Sequence, residues 1–462
     1  MEFQDFLERG LKLGAEFIEI RYMKSKDSSI QYTDGTLRSF SANKDEGLAI
    51  RIFYDGAWGF SSTSSLDSES VLNSIEQAYK IARISSNYIK EKYKIKDFKS
   101  NKANVSMKFK INFDDISYDE KINLVKYLDN SIRSFDNRIK SNTVRYNESQ
   151  DEILIVNSFD TEVLKKEIYV SVSALAISLE SGKRGRGYVA RGGTGGYELL
   201  KEFNVEEIGI LSAKKAIEQL YATSAKAGSY TCVVDPILVG VFAHEGIGHP
   251  SEADSIVDKN SVLEGKLGEK IASDNVTIID NPLLEKCFGS FDYDDEGFPA
   301  RPRYIIKNGI LNEYLHNMET SSILNLENNA AARADSYFNP PLVRMSNIYF
   351  DKGDASFEEM LEDIELGIYA KGFEYGYVMP NNGQFTFKCE SGYLIEKGEL
   401  TKPLRDLSIS GVILETLKNI DLVGKDLEIK TIGHCYKERQ WVRVGDGGPH
   451  LRVKGIVVGG VE

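Results

Sequence analysis

Two histidines and a carboxylate in His244-Glu245-Gly246-Ile247-Gly248-His249 are the residues best placed to do chemistry, because they close the apolar run Ile237 to Ala243. Asp235 is a good helix N-cap, and Pro236 suits the first helical position, where no backbone N–H is needed. The run therefore reads as a helix buried on nearly all sides. Polar groups at the end of such a helix need partners, since an unpaired one costs several kcal/mol. A metal ion would be that partner. In the zinc-binding pattern His-Glu-x-x-His the histidines share one helical face at i and i+4. Here the spacing is i, i+5, which separates the side chains by roughly 140° on a regular α-helix. Gly246 and Gly248 weaken the helix, and Pro250 disfavours the α region for His249. The expectation is a metal pair at a helix terminus, with His244 in the last regular turn and His249 just beyond it. The competing reading is a helix end whose histidines are only hydrogen-bonded.

A catalytic zinc usually has three protein ligands and one open position. The candidates for the third are Cys435, Cys389, Cys287, Cys232, His434, His316, His450 and Glu252. Cys232 sits in a strand-like apolar run and reads as a core thiol, and Cys287 and Cys389 as ordinary thiols. Cys435, in Gly433-His434-Cys435-Tyr436, follows a strand and precedes a glycine-rich tail, where a thiolate can face a cleft. Adjacent strand residues point to opposite faces, so His434 and Cys435 do not act together. Glu252 is a candidate to orient an imidazole from behind. Glu245, beside a ligand but not one itself, is placed to take a proton from a water and pass it on.

The elements that must position these groups come from 462 residues, 41% hydrophobic and 27% charged, enough for a large core and two domains. A net charge of −13 argues against nucleic-acid binding, which demands a basic face. The first residues form an amphipathic helix, not a signal peptide, and no apolar run is long enough to span a membrane. Four scattered cysteines make no disulfide framework, which points to a cytoplasmic protein with reduced thiols.

The expected fold class is α+β. Residues 1–228 read as a mixed antiparallel sheet with helices, a scaffold for substrate or partner contacts. Strand-like runs Phe17–Met23, Ser29–Tyr32, Thr36–Ala42 and Gly47–Phe53 are joined by turns, of which Asp34-Gly35 and Asp55-Gly56 want positive φ. Helices are expected over Ser65 to Ser85, Asp119 to Asn137 and Val205 to Ala227. The basic, glycine-rich stretch 183–197 lacks the spacing of a phosphate loop and reads as mobile hairpin loops, with a substrate flap as the alternative. Residues 229–462 read as the metal-binding half, a strand-rich curled sheet or open barrel carrying the metal helix. All five histidines lie there.

His244-Glu245-Gly246-Ile247-Gly248-His249-Pro250-Ser251-Glu252-Ala253-Asp254 resembles the His-Glu-x-x-x-His segment of the TldD branch of the TldD/PmbA metalloprotease family. Val442-Arg443-Val444-Gly445-Asp446-Gly447-Gly448-Pro449 is similar to that family's C-terminal Val-x-Val-Gly-x-Gly-x-Pro segment, which follows a cysteine ligand. Gly14 to Arg21, Tyr293 to Pro299, Pro341 to Asn347 and Gly392 to Gly398 also look like family segments. The resemblance implies Zn²⁺ held by His244, His249 and Cys435, with Glu245 as the catalytic base. It further implies unfolded peptides or peptide precursors as substrates, and a homodimer or a heterodimer with a PmbA/TldE-like subunit that lacks the metal motif. The residues after Cys435, Tyr436 to Trp441, are bulkier and more charged than the family pattern. Two other readings stay open: a non-enzymatic binding subunit with a structural metal, and a metal amidohydrolase acting on a small molecule.

Overall fold

The computed structural model describes residues 3–459; the first two and last three residues of the chain lie outside it. The N-terminal half is built on a seven-stranded sheet. Its central strands are long, Phe17–Thr33, Thr36–Tyr54, Ile139–Asn157 and Glu162–Glu180, and they pair antiparallel in the spatial order Thr36–Tyr54, Phe17–Thr33, Ile139–Asn157, Glu162–Glu180. Asp34-Gly35 and Asp55-Gly56 take positive φ at both positions, 52° and 79°, then 47° and 86°, as the tight hairpins require. The breaks expected near residues 24–28 and 43–46 are absent. That stretch of Phe17–Thr33 is polar, but it has a partner strand on both sides, so the ladder holds it extended without a buried face.

Two pairs of helices cover this sheet. Phe3–Leu13 and Ser68–Ser85, the latter capped by Asp67, bury Ile18, Ile20, Ile50 and Ile52 under Val71, Ile75 and Ala78. Tyr118–Phe135 and Ile208–Glu218 cover the other end, packing Val125, Leu128 and Ile132 on Val144, Tyr146 and Val172. The second of these is shorter than the helix expected over Val205 to Ala227. The Gln219 side chain accepts from the Arg186 N–H and donates to the Glu390 carbonyl, which draws the chain off the helix axis and into the sheet region.

The glycine- and arginine-rich stretch is neither a loop nor a flap. Lys183–Thr194 is a regular strand paired along its length with Glu162–Glu180. Its glycines serve the helix lying across it: a Cβ at Gly185 would stand 1.9 Å from the Ala216 carbonyl oxygen, and one at Gly187 2.0 Å from that of Ser212.

The C-terminal half holds a six-stranded and a ten-stranded sheet, both open, so the fold is α+β throughout. Gly228–Val234 runs inside the larger sheet, parallel to Leu366–Lys371 and antiparallel to Leu451–Gly459. The chain then enters a helix at Pro236 that lies on Gln440–Gly448 of the smaller sheet. This approach needs bare backbone: a Cβ at Gly240 would be 2.6 Å from the Gly447 nitrogen, and one at Gly448 2.4 Å from Val239. Glu428–Lys437, which carries Cys435, is the edge strand of that sheet.

The acidic turn at Asp294–Glu296 is buried against the N-terminal sheet. Arg51 lies 3.3 Å from Glu19 and 2.7 Å from Glu296, and Lys165 bridges Glu167 and Asp295 at 3.1 and 2.8 Å. Burial pushes the Glu19 carboxyl up to about 7 even with Arg51 beside it. A raised carboxyl contributes fully below its unfolded value near 4.5 and loses that contribution as the pH rises through about 7. Replacing Arg51 by Met strands two buried carboxylates and is expected to cost roughly 3–5 kcal/mol at pH 8. Urea unfolding should show a smaller loss at pH 5, where Glu19 is neutral.

Candidate metal centre

The metal helix starts as read from the sequence. Asp235 Oδ1 accepts from the Leu238 N–H at 2.9 Å and from the Gly372 N–H at 3.0 Å, tying the helix start to the neighbouring strand. Pro236–Val241 is α-helical. Beyond it the helix does not end. Phe242–Gly248 continues as a π-helix, and His249–Ser251 closes with an α turn. The His249 N–H donates to the His244 carbonyl, so the two histidines stand one wide turn apart on the same face. This corrects the expected metal pair at a helix terminus: His249 has φ −59° and ψ −44°, in the α region that Pro250 was expected to deny it. Widening the turn moves the i−4 carbonyl that a proline ring would strike, and i→i+5 bonding restores the register that i, i+5 spacing lacks on an α-helix. Tertiary contact holds the wide turn. Met345 Sδ occupies the bare side of Gly248, where a Cβ would be 1.8 Å away.

The structure brings His244, His249 and Cys435 together, with one donor atom from each within 4.8 Å of the others. Cys435 Sγ is 3.4 Å from His249 Nε2, and the two imidazole rings stand 5.1 Å apart at 80°. Each ring is held from behind through Nδ1, His244 by Asp446 at 2.9 Å and His249 by Glu252 at 3.0 Å. That bond fixes the proton on Nδ1 and leaves Nε2 for the centre. Glu252, the candidate for orienting an imidazole from behind, is the carboxylate at His249. Asp446 was not anticipated, and its only local signal is being the one charged residue in Gly445-Asp446-Gly447-Gly448. Lys437 is also new: its Nζ donates to Glu252 at 3.0 Å, Asp254 at 2.5 Å and the Val343 carbonyl at 3.2 Å. The hairpin turn follows at Glu438 and Arg439, both at positive φ.

Electrostatics favour a cation among these donors. Burial would lift the Cys435 thiol, but the imidazoles of His249 and His244 outweigh it and bring the thiol down to about 5. Burial works against charge on the His249 ring, yet Glu252 and Cys435 raise it to about 10. His244 is likewise raised, by Asp446 and Cys435 against burial. Burial would raise Glu252, and Lys437 and His249 hold it down near 2. A thiolate and two carboxylate-backed imidazoles fit a divalent ion with some affinity for sulfur.

The other candidates are elsewhere. Cys232 and Cys389 lie in the core with thiols raised by burial, and burial lifts Cys287 to about 11. His316 Nδ1 faces the Thr320 hydroxyl at 3.2 Å, and His450 lies between Asp426 and Tyr369. His434 turns to the opposite face of the strand from Cys435, against Phe288. Glu245 is half-buried, and its carboxylate accepts no hydrogen bond from any described residue. Among the described residues, no helix is long and apolar enough to cross a membrane.

Three successive regions match known domains: PmbA/TldA metallopeptidase domain 1 over residues 18–82, the central domain over 111–220 and the C-terminal domain over 227–460. The chain belongs to the PmbA/TldD metallopeptidase family. It is a metallopeptidase, as its relatives are. A metalloprotease of Methanocaldococcus jannaschii is 36% identical, covering 96% of this chain and 97% of its own. A zinc metalloprotease TldD homolog of Saccharolobus solfataricus is 32% identical over 98% of this chain and 99% of its own. Among solved structures, TldE from Thermococcus kodakarensis superposes with a TM-score of 0.77 at 19% identity, covering 99% of this chain and all 100% of that one, a likeness of fold.

Two outcomes follow from the backing carboxylates. Asp446→Asn and Glu252→Gln should each lower metal affinity roughly 10- to 100-fold in a chelator competition. A cation must displace the proton that His249 holds up to about pH 10, so metal uptake should release protons and tighten as pH rises from 6 to 9. A pH-indicator titration reads this directly.

Proposed function

We propose that this chain is the zinc-binding, catalytic member of a TldD-type protease acting on extended or unfolded peptides and peptide precursors. The observation that carries the proposal is the convergence of His244, His249 and Cys435 within 4.8 Å, beside Glu245, which accepts no hydrogen bond from any described residue. Two imidazoles and a thiolate suit zinc and leave a fourth position open. Bound there, zinc would polarise the scissile carbonyl and acidify a water. The chain's own groups do the rest. Asp446 and Glu252 keep the imidazole protons on Nδ1. Glu245 takes a proton from the attacking water on a carboxylate oxygen. As the oxygen adds to the carbonyl carbon and the C–N bond breaks, it gives that proton to the leaving amine nitrogen. Glu428–Lys437 is an edge strand, so a peptide added along it would be read through its backbone and not its sequence, with its chain beside Cys435.

In this reading residues 229–462 form the catalytic domain and 1–228 the scaffold that meets substrate and partner. The partner is a second copy or a TldE-like subunit without the metal motif, consistent with the shared fold of TldE. The setting is the cytoplasm, where Cys435 stays reduced.

The test is Glu245→Gln. Its zinc content should equal that of the wild type, while kcat/KM on an unstructured peptide falls roughly 10²- to 10⁴-fold. Equal cleavage by the two proteins would remove Glu245 from the reaction.

A further inference from the structure

Cys435 reaches the two imidazoles from far along the chain, 186 residues beyond His249, on a strand paired along one edge only. Something must hold that strand at the right distance from the π-helix. The segment 343–347 touches both. Met345 packs into the bare side of Gly248 on the helix. The Val343 carbonyl takes the Lys437 ammonium on the strand. Arg344 Nη2 donates to the carbonyl oxygen of Cys435 itself at 2.5 Å.

The segment is itself immobilised. Asp280 Oδ1 accepts from the Ser346 N–H at 3.0 Å, and Asp280 is in turn paired with the fully buried Arg303 at 2.9 Å. Asn347 starts the strand that runs parallel to Gln440–Gly448, in register with Gly445.

Arg344 is the unusual member. Its side chain is completely buried, and Nε and Nη1 have no hydrogen-bond partner among the described residues. A buried guanidinium so poorly satisfied is a net cost to folding, and an apolar side chain would fill the same space more cheaply. The carbonyl it holds belongs to the residue whose thiolate completes the donor set, and its positive charge lies near Glu252, whose Oε1 likewise has no hydrogen-bond partner among the described residues.

We propose that Arg344 is the positioning residue of the metal centre: its guanidinium grips the Cys435 carbonyl and thereby fixes the thiolate against the two imidazoles. Arg344 is shielded from substrate, so it acts through Cys435 and not on the peptide. This inference rests on the zinc reading above.

The experiment uses the full chain, loaded separately with zinc and with cobalt(II). Arg344→Met should bind zinc 10- to 100-fold more weakly in chelator competition. Its cobalt form should show a weakened or shifted thiolate-to-metal charge-transfer band, which a merely structural role would not move. Arg344→Gln is too short to reach the carbonyl and should show the same two losses, so the result does not depend on one variant folding. Arg344→Lys restores a cationic donor near the carbonyl and should recover part of the affinity. Wild-type affinity together with an unaltered cobalt band in either folded variant, Met or Gln, would overturn the proposal. Failure of both to fold would overturn it too, by placing Arg344 in folding. Failure of the wild type to bind either metal would instead sink the zinc reading.

Discussion

Three polar donors held in a buried place are the constraint on which this structure depends. Each has to be backed before it can face the others. Asp446 and Glu252 stand behind the imidazoles, and Arg344 and Lys437 stand behind the thiolate's strand and the second carboxylate. The charges alternate outward from the centre, so no single group is buried alone. An uncompensated charge in such a place would cost several kcal/mol.

The architecture around the centre serves that requirement. The metal helix reaches the cysteine strand through that strand's partner, Gln440–Gly448, which it can approach closely because glycine backbone faces it there, and through the segment 343–347. Gly240 meets Gly447, and Gly248 meets Met345. The glycines in the C-terminal segment are thus packing residues at a helix–sheet contact. Asp446, the one side chain among them that matters to the site, is carried to His244 by the same close approach.

Much of this was legible in the sequence because it is local. Asp235-Pro236 announces the helix start, the Asp-Gly pairs announce their hairpins, and two histidines after a buried run announce polar chemistry. What was not legible depends on contacts distant in sequence. The π-helix is rarely preferred in isolation, and here it is held by Met345 about a hundred residues away. Lys183–Thr194 looked like a loop because its glycines answer to a helix that follows later in the chain. Arg344 lies in a segment that resembles the family, but nothing local marked it for burial, since an isolated arginine in a loop reads as solvated until the structure buries it.

The wide helical turn has a consequence for how His-Glu-x-x-x-His relates to the commoner zinc pattern. A π turn is an α turn with one residue inserted, the surplus taken up as a bulge. Excising a single glycine from between the imidazoles would relax the bulge and leave them aligned as His-Glu-x-x-His. Everything downstream would then be rotated and drawn back by about one residue, 1.5 Å and 100°, and Glu252 would swing with it. The two spellings of the motif are therefore interchangeable for the ring pair alone, and not for the scaffold that steadies it.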